Sequence, residues 1–257
     1  MNSHERAHQD EANNVTYQRC QYAYEFAIPF ISGKEVLDVG CGLAYGTAEM
    51  AKSAKMITGI DYDAETVESN KKRYASIGNL SFSQGNVPPL PFPDQSFDVV
   101  TAFQFIEHIE HRKEFMKDAL RVLKPGGSFL VTTPNAVKSL ARNPFHVHEY
   151  TFDEMKKEVE SMTKNFELKG LNGNTRVNSY YEENSKFVKM ILKWDILKLH
   201  RILPASLLTK PYNWVTSMMR NKLKEKVSQT SDISTKDFFL QGEQLESTLD
   251  IYLIAKK

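Results

Sequence analysis

The sequence predicts an α/β fold, a mostly parallel sheet with helices on both faces. Three observations point there. Short apolar runs alternate with helical stretches over the first 134 residues; the run Val36–Val39 opens into a glycine turn; and the run Met56–Ile60 ends in Asp61. Strands that alternate with helices in this way form parallel sheets joined by crossovers. No internal repeat or low-complexity tract interrupts the pattern. A chain of 257 residues with 41% hydrophobic content can bury a sizeable core in one domain with an elaboration.

Each element has its own signal. Residues 15–31 read as a leading helix carrying Tyr17, Tyr22 and Phe26, closed by Pro29 and Gly33, and residues 1–32 are expected to form an N-terminal helical lid over a cofactor. Val36, Leu37 and Val39 form a first buried strand. Gly40, Gly42 and Gly46 then let the backbone turn sharply and approach a ligand where a Cβ would collide. Met56–Ile60 is the second strand, and Leu80–Gln84 the third, leading to Gly85, Asn86 and Val87. Ser96–Ala102 is the fourth, followed by a helical run and the LKPGG turn at 123–127. Ser128–Thr133 is the fifth. After Pro134 and Pro144 comes a helix opened by Thr151 and Glu154, whose Thr-x-x-Glu spacing is a capping box. Residues 165–173 and Leu249–Ala255 read as the last strands.

The turn after the first strand narrows the ligand. Asp38 at its mouth repels a pyrophosphate but suits a cofactor bearing an ammonium or sulfonium group. The spacing GxGxxxG also differs from the dinucleotide fingerprint GxGxxG. Asp61, 23 residues beyond Asp38, can accept both hydroxyls of a ribose.

As an ordered set, VLDVGCGLAYGT (36–47), GIDYD (59–63), GNVPPLPFPDQSFDVVTAFQFIEHI (85–109) and RVLKPGG (121–127) resemble the class I methyltransferases that use S-adenosylmethionine. The resemblance covers roughly residues 33–134. It implies a Rossmann-like, seven-stranded, mostly parallel sheet with a helical insertion before an antiparallel last strand, which pairs with 237–241 or with the preceding strand. It also implies a single methyltransferase domain over 1–257, S-adenosylmethionine as cofactor and S-adenosylhomocysteine as product. Carried onto this chain, the methionine part falls to Asp38, Gly40 and Gly42, with Cys41 as a small filler of the same loop. The ribose falls to Asp61, the adenine to Tyr62, Asn86 and Val87, and Gln104 lies near the methionine moiety. Tyr17 on the lid joins this set. The family often has Gly where Ala44 stands and Asp where Asn86 stands. Ala44 is still small, and an Asn carbonyl can accept the adenine amino hydrogen bond.

The N-terminal MNSHERAHQDEANN lacks the basic-then-apolar order of a signal peptide, and no run approaches the roughly 20 apolar residues of a membrane span. A cytoplasmic protein is expected. Cys20 and Cys41 make neither a disulfide framework nor a zinc pattern, so no metal is expected. Residues 174–236 read as a basic helical insertion that caps the core. Between Lys186 and Lys226 ten basic residues face only Asp195 and Glu225, a local balance of +8 within a chain of net charge +1. Lys186, Lys189 and Lys193 share a helical stripe opposite Phe187, Met190, Ile191, Trp194 and Leu197, and a second helix presents Leu208, Tyr212, Val215, Met219 and Leu223. Two readings stand side by side: a cap whose lysines are simply solvated, or a surface at 186–226 that, with Trp194 or Trp214, engages an anionic membrane or a lipid-linked substrate. The second makes the protein membrane-peripheral. Nucleic acid is disfavoured because no recognition module accompanies the charge. The sequence does not encode an oligomeric state.

Methyl transfer from a sulfonium is an in-line displacement, so alignment and exclusion of water dominate. A hydroxyl acceptor also needs a base. Two clusters offer one: Glu107 and His108 in FIEHI, and His146 in NPFHVHEYTFDEM, where His148 and Glu149 are candidate substrate ligands. Each has a structural alternative, loop-fixing hydrogen bonds, and two histidines without a third ligand do not make a metal site. Phe97, Phe103 and Phe105 read as core. The NPFHVHEY loop and basic insertion also resemble, more remotely, bacterial methyltransferases of glycan and secondary-metabolite pathways. That implies O-methylation of a sugar, glycan precursor or small-molecule hydroxyl. A quinone- or phenol-type acceptor is the alternative, and a noncatalytic cofactor-binding or partner-activating protein is the reading from a different class. No (D/N)PPY signature follows the fourth strand, which argues against exocyclic amines.

Overall fold

The computed structural model describes residues 14–139, 141, 143–193, 204, 207–210, 212, 214–215 and 231–257. Residues 1–13 of the expected lid, and Trp194, Leu197, Met219 and Leu223 of the expected insertion helices, lie outside the described residues.

Apolar residues on successive strand positions point to opposite faces, and each face finds helices to cover it. Strands β1 (Glu35–Val39), β2 (Met56–Asp61), β3 (Leu80–Gln84), β4 (Phe97–Phe103) and β5 (Leu123–Pro134) run parallel, in the spatial order β3-β2-β1-β4-β5. On one face, Leu37, Val100, Phe129 and Val131 pack against α4 (Arg112–Val122) and α5 (Phe152–Glu160) through Phe115, Met116, Ala119, Phe152 and Met155. On the other, Val36, Val99 and Leu130 meet α1 (Asn14–Ile31) and α2 (Tyr45–Ala51) through Ala23, Tyr24, Ala27, Ile31 and Met50. Helix α3 (Ala64–Arg73) follows β2. The winding direction reverses between β1 and β4, which opens a crevice at the carboxyl ends of those strands.

The other half of the sheet is antiparallel. Strand β8 (Asp250–Lys256) sits between β5 and β6 (Phe166–Gly173), pairing Leu130 with Ile254 and Leu168 with Leu253. It therefore does not pair with the segment at 237–241. That segment, β7 (Phe238–Gln241), lies against β6 instead and adds an eighth strand at the edge of the seven-stranded plan. Phe238 explains the addition, because it is buried with Val15, Leu171, Val177 and Leu249 in a third apolar cluster.

The leading helix serves as a core layer. Ala23, Tyr24, Ala27 and Ile31 form a buried stripe on α1, and full burial of a side chain such as Ile31 contributes about 2 kcal/mol. The helix runs through Pro29 to Ile31, where the expected span ends. The expected capping box forms at α5. Thr151 Oγ1 accepts from the Glu154 amide at 3.2 Å, and the Glu154 carboxylate accepts from the Thr151 amide at 2.9 Å. Helix α6 (Thr175–Leu192) opens the insertion with Val177 buried and Lys186, Lys189 and Lys193 exposed. Met190, expected to turn inward with Phe187, is 51% exposed. No described helix is long and apolar enough to cross a membrane.

Candidate active site

The loop after β1 is shaped by what lies against it. Gly40 has φ +72, and a Cβ there would fall 2.3 Å from the Phe105 ring, so a side chain is excluded twice over. Gly42 and Ala44 also take the left-handed conformation, with Ala44 as the N-cap of α2. Below the loop lies Asp38, fully buried, accepting from Thr47 Oγ1 at 2.6 Å and Thr101 Oγ1 at 2.7 Å. Burial pushes its carboxyl up to about 6, against the pull of both hydroxyls. Asp38 thus ties the loop to α2 and β4 from beneath and does not line the crevice, so the direct cofactor contact expected of it is not where the side chain sits.

A cavity of about 330 Å³ opens at the carboxyl ends of β1, β2 and β4. Gly40, Asp61, Tyr62, Asn86, Val87 and Gln104, six residues expected at the cofactor, line it together with His108. Asp61 Oδ2 accepts from the Gly42 amide at 2.9 Å and Oδ1 from the Asp63 amide at 3.1 Å. Two backbone donors fix the carboxylate and leave further lone pairs for ribose hydroxyls. Gln104, at the end of β4, has φ +50, and its amide donates to the Thr132 carbonyl at 2.9 Å. The backbone approach at Gly40, the oriented acid and the polar Asn86 fit a nucleoside carrying a short polar tail.

Besides Asp38, three expected cofactor residues are not part of the wall. The Tyr17 ring packs tilted against Tyr45, with centroids 4.9 Å apart, and none of the described residues of α1 lines the cavity. Cys41 is buried beside Gly59. Gly42 turns its amide to Asp61. Conversely, Phe105, Ile109 and Phe145 do line the cavity, although Phe105 reads as core and the other two drew no expectation. The usable signal was position, since Phe105 follows Gln104 directly and Phe145 precedes His146.

The two histidine clusters meet at one place and divide the work. His108 ends a single helical turn, with Nδ1 3.1 Å from the Phe145 carbonyl oxygen. A carbonyl only accepts, so Nδ1 carries the proton and Nε2 keeps its lone pair. Burial lowers the His108 pKa to about 4, and His146, whose ring stands edge-on at 4.9 Å, pushes in the same direction. His146 has Nδ1 2.5 Å from Glu149 Oε1 and Nε2 2.9 Å from the Asn143 amide. Both of its nitrogens are engaged within its own loop, and it is absent from the cavity wall. Burial pushes Glu149 up, but hydrogen bonds from His146 and Ser139 outweigh it and hold the carboxyl below its ordinary value. His148 turns to Glu154 at 3.9 Å and stands edge-on to Tyr150.

Glu107 is buried. Its carbonyl accepts from the amides of Val147 and His148, and its carboxylate from Thr133 Oγ1 at 3.0 Å. Burial raises its pKa to about 7, partly offset by His146. Glu107, His108 and His146 each bring a potential ligand atom within 4.8 Å of the others. Because both His146 nitrogens already have partners, the group is arranged as a hydrogen-bonded brace joining the two loops.

Residues 37–131, which contain the glycine loop, Asp61, Asn86 and Gln104, match the methyltransferase domain family. Over this part the chain is similar to S-adenosylmethionine-dependent methyltransferases. A protein of Mycolicibacterium smegmatis named a probable S-adenosylmethionine-dependent methyltransferase is 37% identical over 160 residues, 60% of each chain. A fatty-acid O-methyltransferase of the same organism is 34% identical over 125 residues, 48% of this chain and 44% of that protein. The chain thus spans about half the length of these curated relatives. Among solved structures, the 4+2 cyclase SpnF superposes with a TM-score of 0.58 at 18% identity, covering 94% of this chain and 81% of that one, a likeness of fold alone. The match to the methyltransferase domain ends at residue 131, so Phe145 and the loop of His146 lie outside it.

Proposed function

We propose that the protein transfers a methyl group from S-adenosylmethionine to a hydroxyl oxygen of a small acceptor with an apolar body, with His108 as general base. The observation that carries this reading is a neutral imidazole in the cavity wall whose Nδ1–H is held by Phe145, so that Nε2, 4.0 Å from Glu107 Oε1, carries the lone pair that can take the hydroxyl proton. S-adenosylmethionine supplies the electrophilic methyl group. Asp61 receives the ribose, Tyr62, Asn86 and Val87 flank the adenine, and Gln104 borders the methionine part. The proton released by the acceptor goes to His108 Nε2, while Glu107 and His146 keep the two loops in register. Phe105, Ile109 and Phe145 beside His108 favour an apolar acceptor over a bare sugar, and the similarity to a fatty-acid O-methyltransferase supports the same class.

The insertion supports a membrane-borne source for such an acceptor. Residues 207–210, 212, 214 and 215 are helical; Leu208 is buried, and the Tyr212 ring lies 6.1 Å from that of Phe145. Leu207 and Trp214 are 60% and 64% exposed, and Lys210 is exposed as well. An outward Trp and Leu with lysines suits an anionic lipid surface.

The test is a mass shift of one methyl group with nucleotide sugars, fatty acids, long-chain alcohols and phenols. Methylation of alcohols or phenols that is lost in His108→Ala supports the reading; methylation of fatty acids alone, whose carboxylate needs no base, overturns the role of His108, and cofactor binding with no methylated product across the panel favours the noncatalytic reading. Co-sedimentation with phosphatidylglycerol vesicles, lost on charge reversal at Lys186, Lys189 and Lys193, tests the membrane contact separately.

A further inference from the structure

The brace between the two histidine loops has a second chemical capacity. His108 Nδ1 donates to the Phe145 carbonyl at 3.1 Å. The Asn143 side chain is oriented by its own carbonyl, which accepts from the Phe145 amide at 3.0 Å, so the group it turns to His146 Nε2 is an NH2, which only donates. The proton of His146 therefore sits on Nδ1, held by Glu149 Oε1 at 2.5 Å. Both imidazoles are anchored through Nδ1 and carry a lone pair on Nε2. Metal-ligating histidines are held in this way, the second ring N–H fixed by a carbonyl or a carboxylate.

Two histidines alone do not hold a metal, and folding brings Glu107 as a third donor. It is 1% exposed, its carboxylate accepts from the Thr133 hydroxyl at 3.0 Å, and among the described residues no lysine or arginine forms an ion pair with it. A buried carboxylate so placed gains from a cation beside it. Glu107 Oε1 stands 4.0 Å from His108 Nε2, and one donor atom from each of the three residues lies within 4.8 Å of the others. Donors bound about 2 Å from zinc stand about 3.3 Å apart, so closing on an ion asks for shifts of about 1 Å. The Glu107 carbonyl already ties the two loops together through the amides of Val147 and His148. His108 lines the cavity, which leaves an open coordination position on that side.

We propose that Glu107, His108 and His146 form a binding site for a single Zn²⁺-class ion, with Phe145 and Glu149 as outer anchors. Two imidazoles and a carboxylate suit Zn²⁺ or Co²⁺, whereas Mg²⁺ and Ca²⁺ take oxygen donors. The ion displaces the Asn143 amide from His146 Nε2. It also occupies the His108 lone pair, so bound zinc blocks turnover; that consequence, unlike the site itself, rests on His108 as the base.

The test uses tag-free protein stripped with EDTA and dialysed, titrated with ZnCl2 by calorimetry and with CoCl2 by visible absorption, with Tm measured in parallel. Expected is a single equivalent of either ion. Glu107→Gln and His146→Ala should each weaken Zn²⁺ at least about tenfold, and Glu149→Ala, which removes an anchor but no ligand, about tenfold. Glu149→Ala guards against a misfolded His146→Ala. His148→Ala, whose ring turns to Glu154, should change the affinity less than about twofold. Absent binding, binding undiminished in Glu107→Gln and His146→Ala, or binding lost equally in His148→Ala would overturn the site and leave the base reading standing. With a methylated acceptor in hand, Zn²⁺ should inhibit and excess EDTA restore turnover. Zinc bound at the site without inhibition overturns the role of His108 as base and leaves the site standing.

Discussion

The Phe145 carbonyl oxygen lies 3.1 Å from His108 Nδ1, and this contact between two loops sets which ring nitrogen of His108 carries the proton. The pH dependence follows. With its pKa lowered to about 4 by burial, His108 is an unprotonated base at all higher pH, so kcat/KM should stay level down to pH 5 and fall only towards 4. His108→Ala should lower kcat at least about a hundredfold and abolish that acid limb. His146→Ala should lower Tm and raise KM while the limb persists. A limb that vanishes with His146 instead would reassign the base.

The same shift makes a stability prediction. An unfolded histidine binds a proton below pH 6.5, whereas folded His108 resists it down to about 4, so stability should fall as pH drops through that window. The denaturant midpoint of wild type should decline between pH 6.5 and 4 more steeply than that of His108→Phe.

Glu107 has the opposite sign. Its folded pKa of about 7 lies above its ordinary value, so ionisation destabilises the protein as pH rises from 4.5 through 7. Glu107→Gln, which can still accept from Thr133, should gain about 1–3 kcal/mol over wild type at pH 8 and nothing at pH 4.5. Equal denaturation curves at pH 8 would contradict this.

Gly40 and Gly42 share a positive φ but differ in surroundings. A Cβ at 40 meets the Phe105 ring at 2.3 Å, whereas at 42 nothing lies within 4 Å. Gly42→Ala should cost about 1 kcal/mol of backbone strain and bind S-adenosylhomocysteine within a few-fold of wild type. Gly40→Ala must displace Phe105 from the cavity wall, so its affinity should drop at least about tenfold.

Asp61→Ala should weaken S-adenosylhomocysteine at least about tenfold in calorimetry, because it removes the only carboxylate among the described residues of the cavity wall. Undiminished affinity would refute its assignment to the ribose.

That Gly40, Asp61 and Asn86 share one cavity wall was legible because the signals are local: an apolar run that ends in Asp61, glycines with a defined spacing, and a polar residue after the third strand. What sequence could not reveal depends on partners brought together by folding. Asp38 looks like a ligand-facing acid until Thr47 and Thr101 claim both of its oxygens. His146 and His108 are equally good bases on paper, and only Asn143, Glu149 and the Phe145 carbonyl separate them. Phe105 fits an apolar pattern whether it packs in the core or faces a ligand. The sheet was readable in its parallel half, but the pairing of β7 turned on where Phe238 is buried.

The insertion of β8 between β5 and β6 has a consequence for how the protein is made. Residues 250–256 supply both neighbours of that gap, so while the ribosome is still adding the insertion, β5 has one open edge and β6 lacks its central partner. Long-range pairing of this kind forms slowly, and an unpaired edge invites another nascent chain. The glycine loop can be threaded early, but the sheet that holds it closes only after residues 250–256 have emerged, more than two hundred residues later.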